Sequence, residues 1–299
     1  MRNLDFDVKP CVRVFGDNAS VHYARFWLEK IGIKTLLADD PTQCQVTICA
    51  GGSQEKNDAQ AGEKTRITLW DFLVGAPGNG THASAASGVS WVIGHRDGLP
   101  TPLPLDVPEK WCGLIGANLA LAALIGGERT GDSTYQIDVS SADLLRSFAD
   151  QNSGNYDGLS NGWHRNGSVA VQHGGIYPQG FFNCLDGQVA VVGRSRQDWK
   201  AIQQAVGSPS WTHESRFEDP FALALDHKEI DELLSAAFLK FDRDHLLDKA
   251  VKYGATIAPV YTHTELLSRN IVRSEMFDAT GKTNLPFLIS PHNQNFIKK

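Results

Sequence analysis

A long apolar helix is predicted directly after a proline-rich segment in the middle of the chain. Pro102 and Pro104 favour extended backbone before them. The helix begins near Val107, and residues 111–127 are almost all apolar or small, which predicts a buried rather than an amphipathic helix. Asp106 stands at the junction, at a buried and positively polarised helix end, where a carboxylate can serve as a cap or as a nucleophile. Glu109, three residues further on, gives the spacing of a capping box. A purely structural role for Asp106 therefore stays open on these residues alone.

The first half of the chain alternates short apolar runs with helical patterns. Strands are predicted over 12–15, 34–37, 45–50, 66–70 and 136–140. Helices are predicted over 20–31 and from Ser141. Strands that alternate with helices predict an α/β fold with a parallel sheet that is covered on both faces.

The second half begins with a segment rich in Gly, Asn and Ser, residues 151–175, which is interpreted as an active-site loop or a linker. Asp186-Gly187 between two apolar runs predicts a hairpin. Helices follow at 196–206, 228–238, 243–253 and 264–269, with an extended segment at 257–260.

Composition argues against several classes of protein. With 299 residues, of which 41% are hydrophobic and 21% charged, the chain has the profile of a soluble globular protein. A net charge of −6 provides no general basic surface for nucleic acid or for an anionic membrane. The five cysteines are scattered, so neither a metal site nor a disulfide framework is predicted. The N-terminus lacks the pattern of a signal peptide, and a cytoplasmic location is expected.

Several segments, taken in order, resemble the family III CoA-transferases, also called the CaiB/BaiF family. The first is the Ser-Gly segment 87–94, and the second is Asp106, at the position of the family's acidic catalytic residue, with the small-residue-rich helix that follows it. The others are residues 128–131, 136–143, 173–177, 186–187, 216–217, 257–262 and 273–277. The resemblance thus runs from about Ser87 to Phe277.

This resemblance implies a particular domain organisation. A large Rossmann-like domain would be formed by both terminal parts of the chain, residues 1–175 and 255–299, and a smaller domain, residues 176–254, would be inserted between them. It also implies an interlocked dimer, which could be a homodimer or a heteromer with a paralogous subunit.

The resemblance also implies an activity, the exchange of CoA between an acyl-CoA and a carboxylic acid. Asp106 would attack the thioester and form an aspartyl anhydride and then an aspartyl-CoA thioester, which is covalent catalysis. Backbone N–H groups at Gly174 and Gly175 would stabilise the oxyanion. CoA is expected as a substrate, with no tightly bound cofactor. Asn18 and Ala19, at a helix start that can bind anions, are the candidate CoA contacts.

Two positions depart from the racemase branch of the family. Asn79 and Arg196 stand where the racemases carry the histidine and the glutamate that complete their proton-transfer set, and His82 is three residues out of step. Because exchange of an α-proton needs acid and base groups on both faces of the carbon, racemisation is disfavoured.

A further departure concerns the CoA nucleotide. The interval from Asp40 to Asn79 is short, and its cations, Lys56, Lys64 and Arg66, are favoured as surface charges over phosphate ligands. A non-catalytic subunit that pairs with a longer paralogue is therefore the main alternative to an enzyme.

Four aromatic residues follow or lie within the glycine-rich region: Trp163, Tyr177, Phe181 and Phe182. They would line an apolar acyl pocket or, as the favoured interpretation, simply pack in the core.

Overall fold

The structure, a computed structural model, describes residues 10–37, 44–52, 62–94, 98–104, 106–126, 134–152, 168–169 and 176–269. These residues form two compact units. The first unit comprises those up to residue 90 and residues 101–152, and the second comprises those from 91 to 100 and from 168 to 269.

A five-stranded parallel sheet forms the centre of the first unit. Its order is β2-β1-β3-β4-β5, and all four neighbouring pairs run parallel. The strands are β1 (Cys11–Phe15), β2 (Lys34–Leu36), β3 (Val46–Ala50), β4 (Thr65–Trp70) and β5 (Tyr135–Ser140). All five residues of β3 are buried, as expected for a central parallel strand covered on both faces. The predicted α/β class with a parallel sheet is confirmed.

Two helices that pack closely together cover this sheet. They are α1 (Ala19–Lys30) and α4 (Val107–Gly126). Gly113 on α4 makes their close approach possible, because a Cβ at that position would lie 2.5 Å from the carbonyl oxygen of Ser20 and 2.8 Å from the amide nitrogen of Ala24. One turn further on, a Cβ at Gly116 would lie 2.8 Å from Leu69 of β4. The glycines thus seat α4 against both α1 and the sheet.

The prediction that α4 is buried on all sides is wrong for the described chain. Its buried face consists mostly of small residues: Cys112, Gly113, Gly116, Ala117 and Ala120. The opposite side exposes Trp111 by 40% and Ile125 by 57%. A helix that lies on one face of a sheet has an outer side, and the composition of α4 does not reveal which residues occupy it.

Two more helices belong to the first unit, α2 (Gly80–Ala86) and α5 (Ser141–Asn152), and the short α3 (Val89–Val92) crosses the boundary between the two units after Ser90. Ala83 of α2 packs with Ala142 and Leu145 of α5. The sequence pattern predicts α5 but neither α2 nor α3.

The second unit contains a three-stranded antiparallel sheet in the order β6-β7-β8. Its strands are β6 (Gln179–Cys184), β7 (Gly187–Val192) and β8 (Ile257–Val260). The hairpin predicted at Asp186-Gly187 joins β6 to β7. Because β8 hydrogen-bonds to β7, residues 257–260 belong to this unit, beyond the boundary at 254 that the family resemblance implies.

Helices and short turns surround the second sheet. The helices are α6 (Arg196–Ala205), α7 (Pro220–Leu223), α8 (Lys228–Phe238), α9 (Arg243–Tyr253) and α10 (His263–Ser268), and the 3-10 turns are Ser210–His213 and Ser215–Phe217. Tyr177, Trp199 and Phe238 are among the largest fully buried side chains of its core. Within the described ranges, no helix is both long and apolar enough to cross a membrane.

Replacing Gly113 by Ala should destabilise the first unit. The added methyl group meets backbone atoms of α1, and overpacking of this kind costs about 1–3 kcal/mol. Urea unfolding should show a lower midpoint with an unchanged slope.

Gly126→Ala is the matched control, because a Cβ at Gly126 in the same helix meets nothing within 4 Å. It should leave the midpoint unchanged or raise it, since Ala favours helix over Gly. Equal midpoints for the two variants would contradict the close packing of α1 and α4.

Candidate functional site

Asp106 immediately precedes the first residue of α4. Its carbonyl oxygen accepts a hydrogen bond from the Lys110 amide at 2.9 Å, which is the first bond of the helix. Its side chain is 39% exposed. The predicted position at a helix start is therefore correct, whereas the predicted burial is not. A half-exposed carboxylate is open to a substrate.

Two neighbouring side chains engage both oxygens of this carboxylate. The Tyr23 hydroxyl of α1 donates a hydrogen bond to Oδ2, and Lys110 Nζ lies 3.0 Å from Oδ1. Lys110 Nζ is also 5.3 Å from the centroid of the Tyr23 ring. Neither partner is predicted above, although Lys110 could have been found from its i,i+4 spacing to Asp106.

This cluster of Tyr23, Asp106 and Lys110 sets the charge of the carboxylate. The hydrogen bond from Tyr23 is the largest influence and lowers the pKa of Asp106; partial burial opposes it, and Lys110 lowers the pKa further. Burial and the bond to Asp106 raise the pKa of Tyr23. The hydrogen bond to Asp106 raises the pKa of Lys110. At neutral pH Asp106 is therefore ionised and Lys110 charged.

Glu109 does not complete the predicted capping box with Asp106. Its Oε1 instead accepts a hydrogen bond from the backbone amide of Gly80, the first residue of α2. The residue is 5% exposed, and its Oε2 is buried without a hydrogen-bond partner. Burial raises the pKa of Glu109, hydrogen bonds from backbone amides, including that of Gly80, lower it, and the negative charges of Asp71 and Asp106 raise it. The first turn of α4 thus carries two carboxyl groups in opposite environments.

The predicted CoA contacts, Asn18 and Ala19, have partners within the chain. The Asn18 side-chain oxygen accepts from the Val21 amide at 2.9 Å and caps α1, while its nitrogen donates to the Leu69 carbonyl at 2.9 Å. The Ala19 amide donates to Asp71 Oδ2 at 3.0 Å. The position that was expected to receive a phosphate at this helix start is therefore occupied by a carboxylate of the chain itself.

Asp71 is held at the same place by Ser20. The Ser20 amide and hydroxyl donate to Asp71 Oδ1 at 3.0 and 2.6 Å. Asp71 directly follows β4, and a carboxylate at the carboxyl end of a parallel strand was the sequence signal that could have identified it.

The other predicted residues fall into two groups. Gly174, Gly175, Trp163 and Lys56 lie outside the described residues. Tyr177 and Phe182 are core residues, as the favoured interpretation had it, whereas Phe181 is 72% exposed.

The two positions that depart from the racemase pattern have structural partners. Asn79 caps α2 and forms a capping box with His82. Arg196 pairs with Asp219 at 3.1 Å.

Of the cations considered for the CoA nucleotide, Arg66 forms an ion pair with Glu63 at 2.7 Å.

The described residues contain no group of His, Cys, Asp or Glu side chains that could hold a metal ion. Cys112 is fully buried, and burial raises the pKa of its thiol to about 11.

Comparison with known proteins gives consistent matches. The sequence model of CoA-transferase family III matches residues 73–289. A succinyl-CoA–D-citramalate CoA-transferase of Chloroflexus aurantiacus is 23% identical over 192 residues, which cover 64% of this chain and 47% of that protein. A succinyl-CoA:mesaconate CoA-transferase of Haloarcula marismortui is 27% identical over 135 residues, which cover 45% of this chain and 33% of that protein. The chain thus spans less than half the length of these curated relatives.

A solved structure shows the same fold. The crystal structure of a CAIB/BAIF family protein from Brucella suis superimposes with a TM-score of 0.69 at 19% identity, covering 88% of this chain and 76% of that one.

Replacing Tyr23 by Phe should raise the pKa of Asp106. The hydroxyl that favours the ionised carboxylate is removed while the ring stays. Carboxyl 13C NMR should follow the titration, with the Asp106 resonance assigned by its loss in Asp106→Asn. Tyr135→Phe, at an exposed position of β5, is the control and should leave the pKa of Asp106 unchanged. An unchanged Asp106 pKa in Tyr23→Phe would contradict the hydrogen bond.

Proposed function

This chain belongs to CoA-transferase family III, and we propose that it exchanges CoA between an acyl-CoA and a carboxylic acid through a covalent intermediate on Asp106. The observation that carries the proposal is the state of that side chain. Asp106 is ionised, half-exposed and located at the start of α4, where the helix dipole stabilises negative charge. CoA enters as a substrate, with no tightly bound cofactor.

The proposed reaction begins with attack of an Asp106 oxygen on the thioester carbonyl. A C–O bond forms, the C–S bond breaks, and CoA leaves as a thiolate, which gives an aspartyl anhydride. The thiolate then attacks the aspartyl carbonyl, releases the donor carboxylate and leaves an aspartyl-CoA thioester. The acceptor carboxylate repeats the sequence in reverse and regenerates Asp106.

Tyr23 and Lys110 support this chemistry by stabilising the ionised form of Asp106. When CoA thiolate attacks the acceptor acyl carbon of the second anhydride, Asp106 is the leaving group, and a carboxylate with a lowered pKa leaves more readily. Backbone amides at Gly174 and Gly175 are proposed to stabilise the oxyanion.

Succinyl-CoA is the proposed first donor to test. Both curated relatives carry succinyl-CoA in their names. The acceptor is proposed to be a carboxylic acid. A cytoplasmic location and an interlocked dimer, homomeric or with a paralogous subunit, also remain proposals.

The alternative is a non-catalytic subunit that pairs with a longer paralogue. The occupied start of α1 favours it, because the Ala19 amide already binds Asp71. Racemisation remains the less favoured reading: Asn79, at the position of the racemase histidine, caps a helix, and an amide side chain cannot act as the required base.

Asp106→Asn should reduce the rate of CoA transfer from succinyl-CoA at least about a thousandfold, equivalent to about 4 kcal/mol of transition-state free energy. Asn keeps the size of the side chain but removes the nucleophilic carboxylate. Asp248→Asn, exposed on α9, is the matched control and should keep the wild-type rate. A fully active Asp106→Asn variant would overturn the proposed nucleophile.

Calorimetry with free CoA separates the enzyme from the non-catalytic subunit. The purified chain should bind CoA by itself, and pantetheine, which lacks the nucleotide, should bind more weakly. Binding that requires addition of a longer paralogue would instead support the alternative.

A further inference from the structure

Glu109 contains the one described carboxylate oxygen at the start of α4 that is buried and has no partner. Both oxygens of Asp106 are engaged, by Tyr23 and Lys110. Oε1 of Glu109 accepts the Gly80 amide, and Oε2 is sealed from solvent with no hydrogen bond. Buried polar atoms in native proteins nearly always have partners, and an exception calls for an explanation.

The surroundings of Glu109 favour its neutral form. The residue is 95% buried, and burial disfavours a carboxylate. Burial is the largest influence on the pKa of Glu109 and raises it, the hydrogen bond from the Gly80 amide lowers it, and the negative charges of Asp71 and Asp106 raise it. The neighbouring Lys110 is paired with Asp106, Tyr23 on α1 donates to Asp106, and His82 on α2 is engaged with Asn79.

A neutral carboxyl group has an O–H donor as well as acceptor oxygens. Since Oε1 already accepts the Gly80 amide, the proton belongs on Oε2, where the O–H has no acceptor in the free protein. Gly80 is needed for this arrangement, because a Cβ at that position would collide with Oε2.

Glu109 stands next to Asp106 at the start of α4, where a hydrogen-bond donor could act on a thioester attacked by Asp106. Glu109 is the third residue of α4, and Asp106 immediately precedes that helix, so the two residues lie within one helical turn. In the free protein Oε2 is closed to solvent, so the oxygen of a thioester bound at Asp106 meets it only after the Glu109 side chain turns, and the terminal torsion of that side chain is soft. Other oxyanion sites use a neutral carboxylic acid as a donor in the same way.

We propose that Glu109, in its protonated form, donates a hydrogen bond from Oε2 to the oxyanion that forms when Asp106 attacks the thioester. The inference rests on the proposed CoA transfer and extends it. As the C–O bond forms, the carbonyl electron pair moves to oxygen, and the Oε2–H bond points at that charge. When the C–S bond breaks, the carbonyl is restored and Glu109 keeps its proton throughout.

Glu109→Ala and Glu109→Gln test this role as a pair. The Ala variant should lower kcat about a hundredfold, which is typical of losing one oxyanion donor, while KM changes little. The Gln variant retains an N–H donor, so its kcat should be at least tenfold higher than that of the Ala variant. The wild-type rate should fall as the pH rises through the raised pKa of Glu109, and the Gln variant should lack that fall.

Infrared difference spectroscopy gives a readout that does not depend on turnover. A protonated carboxyl stretch should be present in the free protein at neutral pH and absent from Glu109→Gln, a variant that is checked for folding by urea unfolding. Absence of that band from the wild type would overturn the inference.

Peptide mapping of the acyl adduct separates this inference from the function on which it rests. If Asp106 carries the adduct and Glu109→Ala keeps the wild-type kcat, the donor role fails while CoA transfer stands. If Glu109 carries the adduct and its Gln variant is as inactive as its Ala variant, Glu109 is the nucleophile and both assignments are wrong. If neither carboxyl is acylated although the infrared band is present, the proposed function fails while the protonated state of Glu109 stands.

Discussion

The close contact between α1 and α4 is the interaction on which the candidate site depends. Gly113 lets α4 approach the backbone of α1, and this approach brings Tyr23 to Asp106 across the two helices. The bond between them holds the carboxylate in its ionised form. A larger side chain at position 113 would separate the helices and remove the main cause of the lowered pKa. Packing and chemistry are therefore linked through one glycine.

The same small region places three carboxyl groups in different surroundings. Asp71 binds the amides of Ala19 and Ser20 and satisfies the start of α1. Asp106 faces a hydroxyl and an ammonium group, which favour its charge, whereas Glu109 is buried beside negative charges, which oppose it. Neighbouring carboxyl groups with separated pKa values can perform different chemical tasks. The opposite shifts of Asp106 and Glu109 therefore support the proposed roles of Asp106 as nucleophile and Glu109 as hydrogen-bond donor.

Local patterns in the sequence were sufficient for most of the fold but not for the site. The helices at 228–238 and 243–253 begin and end at the predicted residues. Apolar spacing predicts both, and the second is also bounded by the Asp242 cap and by Gly254. The Tyr23–Asp106 bond joins residues 83 positions apart, and the Asp71 cap of α1 spans 51 positions or more. Such contacts depend on how helices pack against the sheet, which a periodic pattern does not encode. For the same reason, Glu109 fitted a capping box by spacing although it binds Gly80 instead.

The central claim is that Asp106 becomes acylated during CoA transfer, and mass spectrometry of the protein tests it directly. The chain is incubated with succinyl-CoA, treated with hydroxylamine and digested, and the peptide that contains Asp106 is fragmented. The account predicts a hydroxamate on Asp106 that requires succinyl-CoA and is missing from Asp106→Asn. An unmodified Asp106 in wild-type protein that is turning over substrate would contradict it.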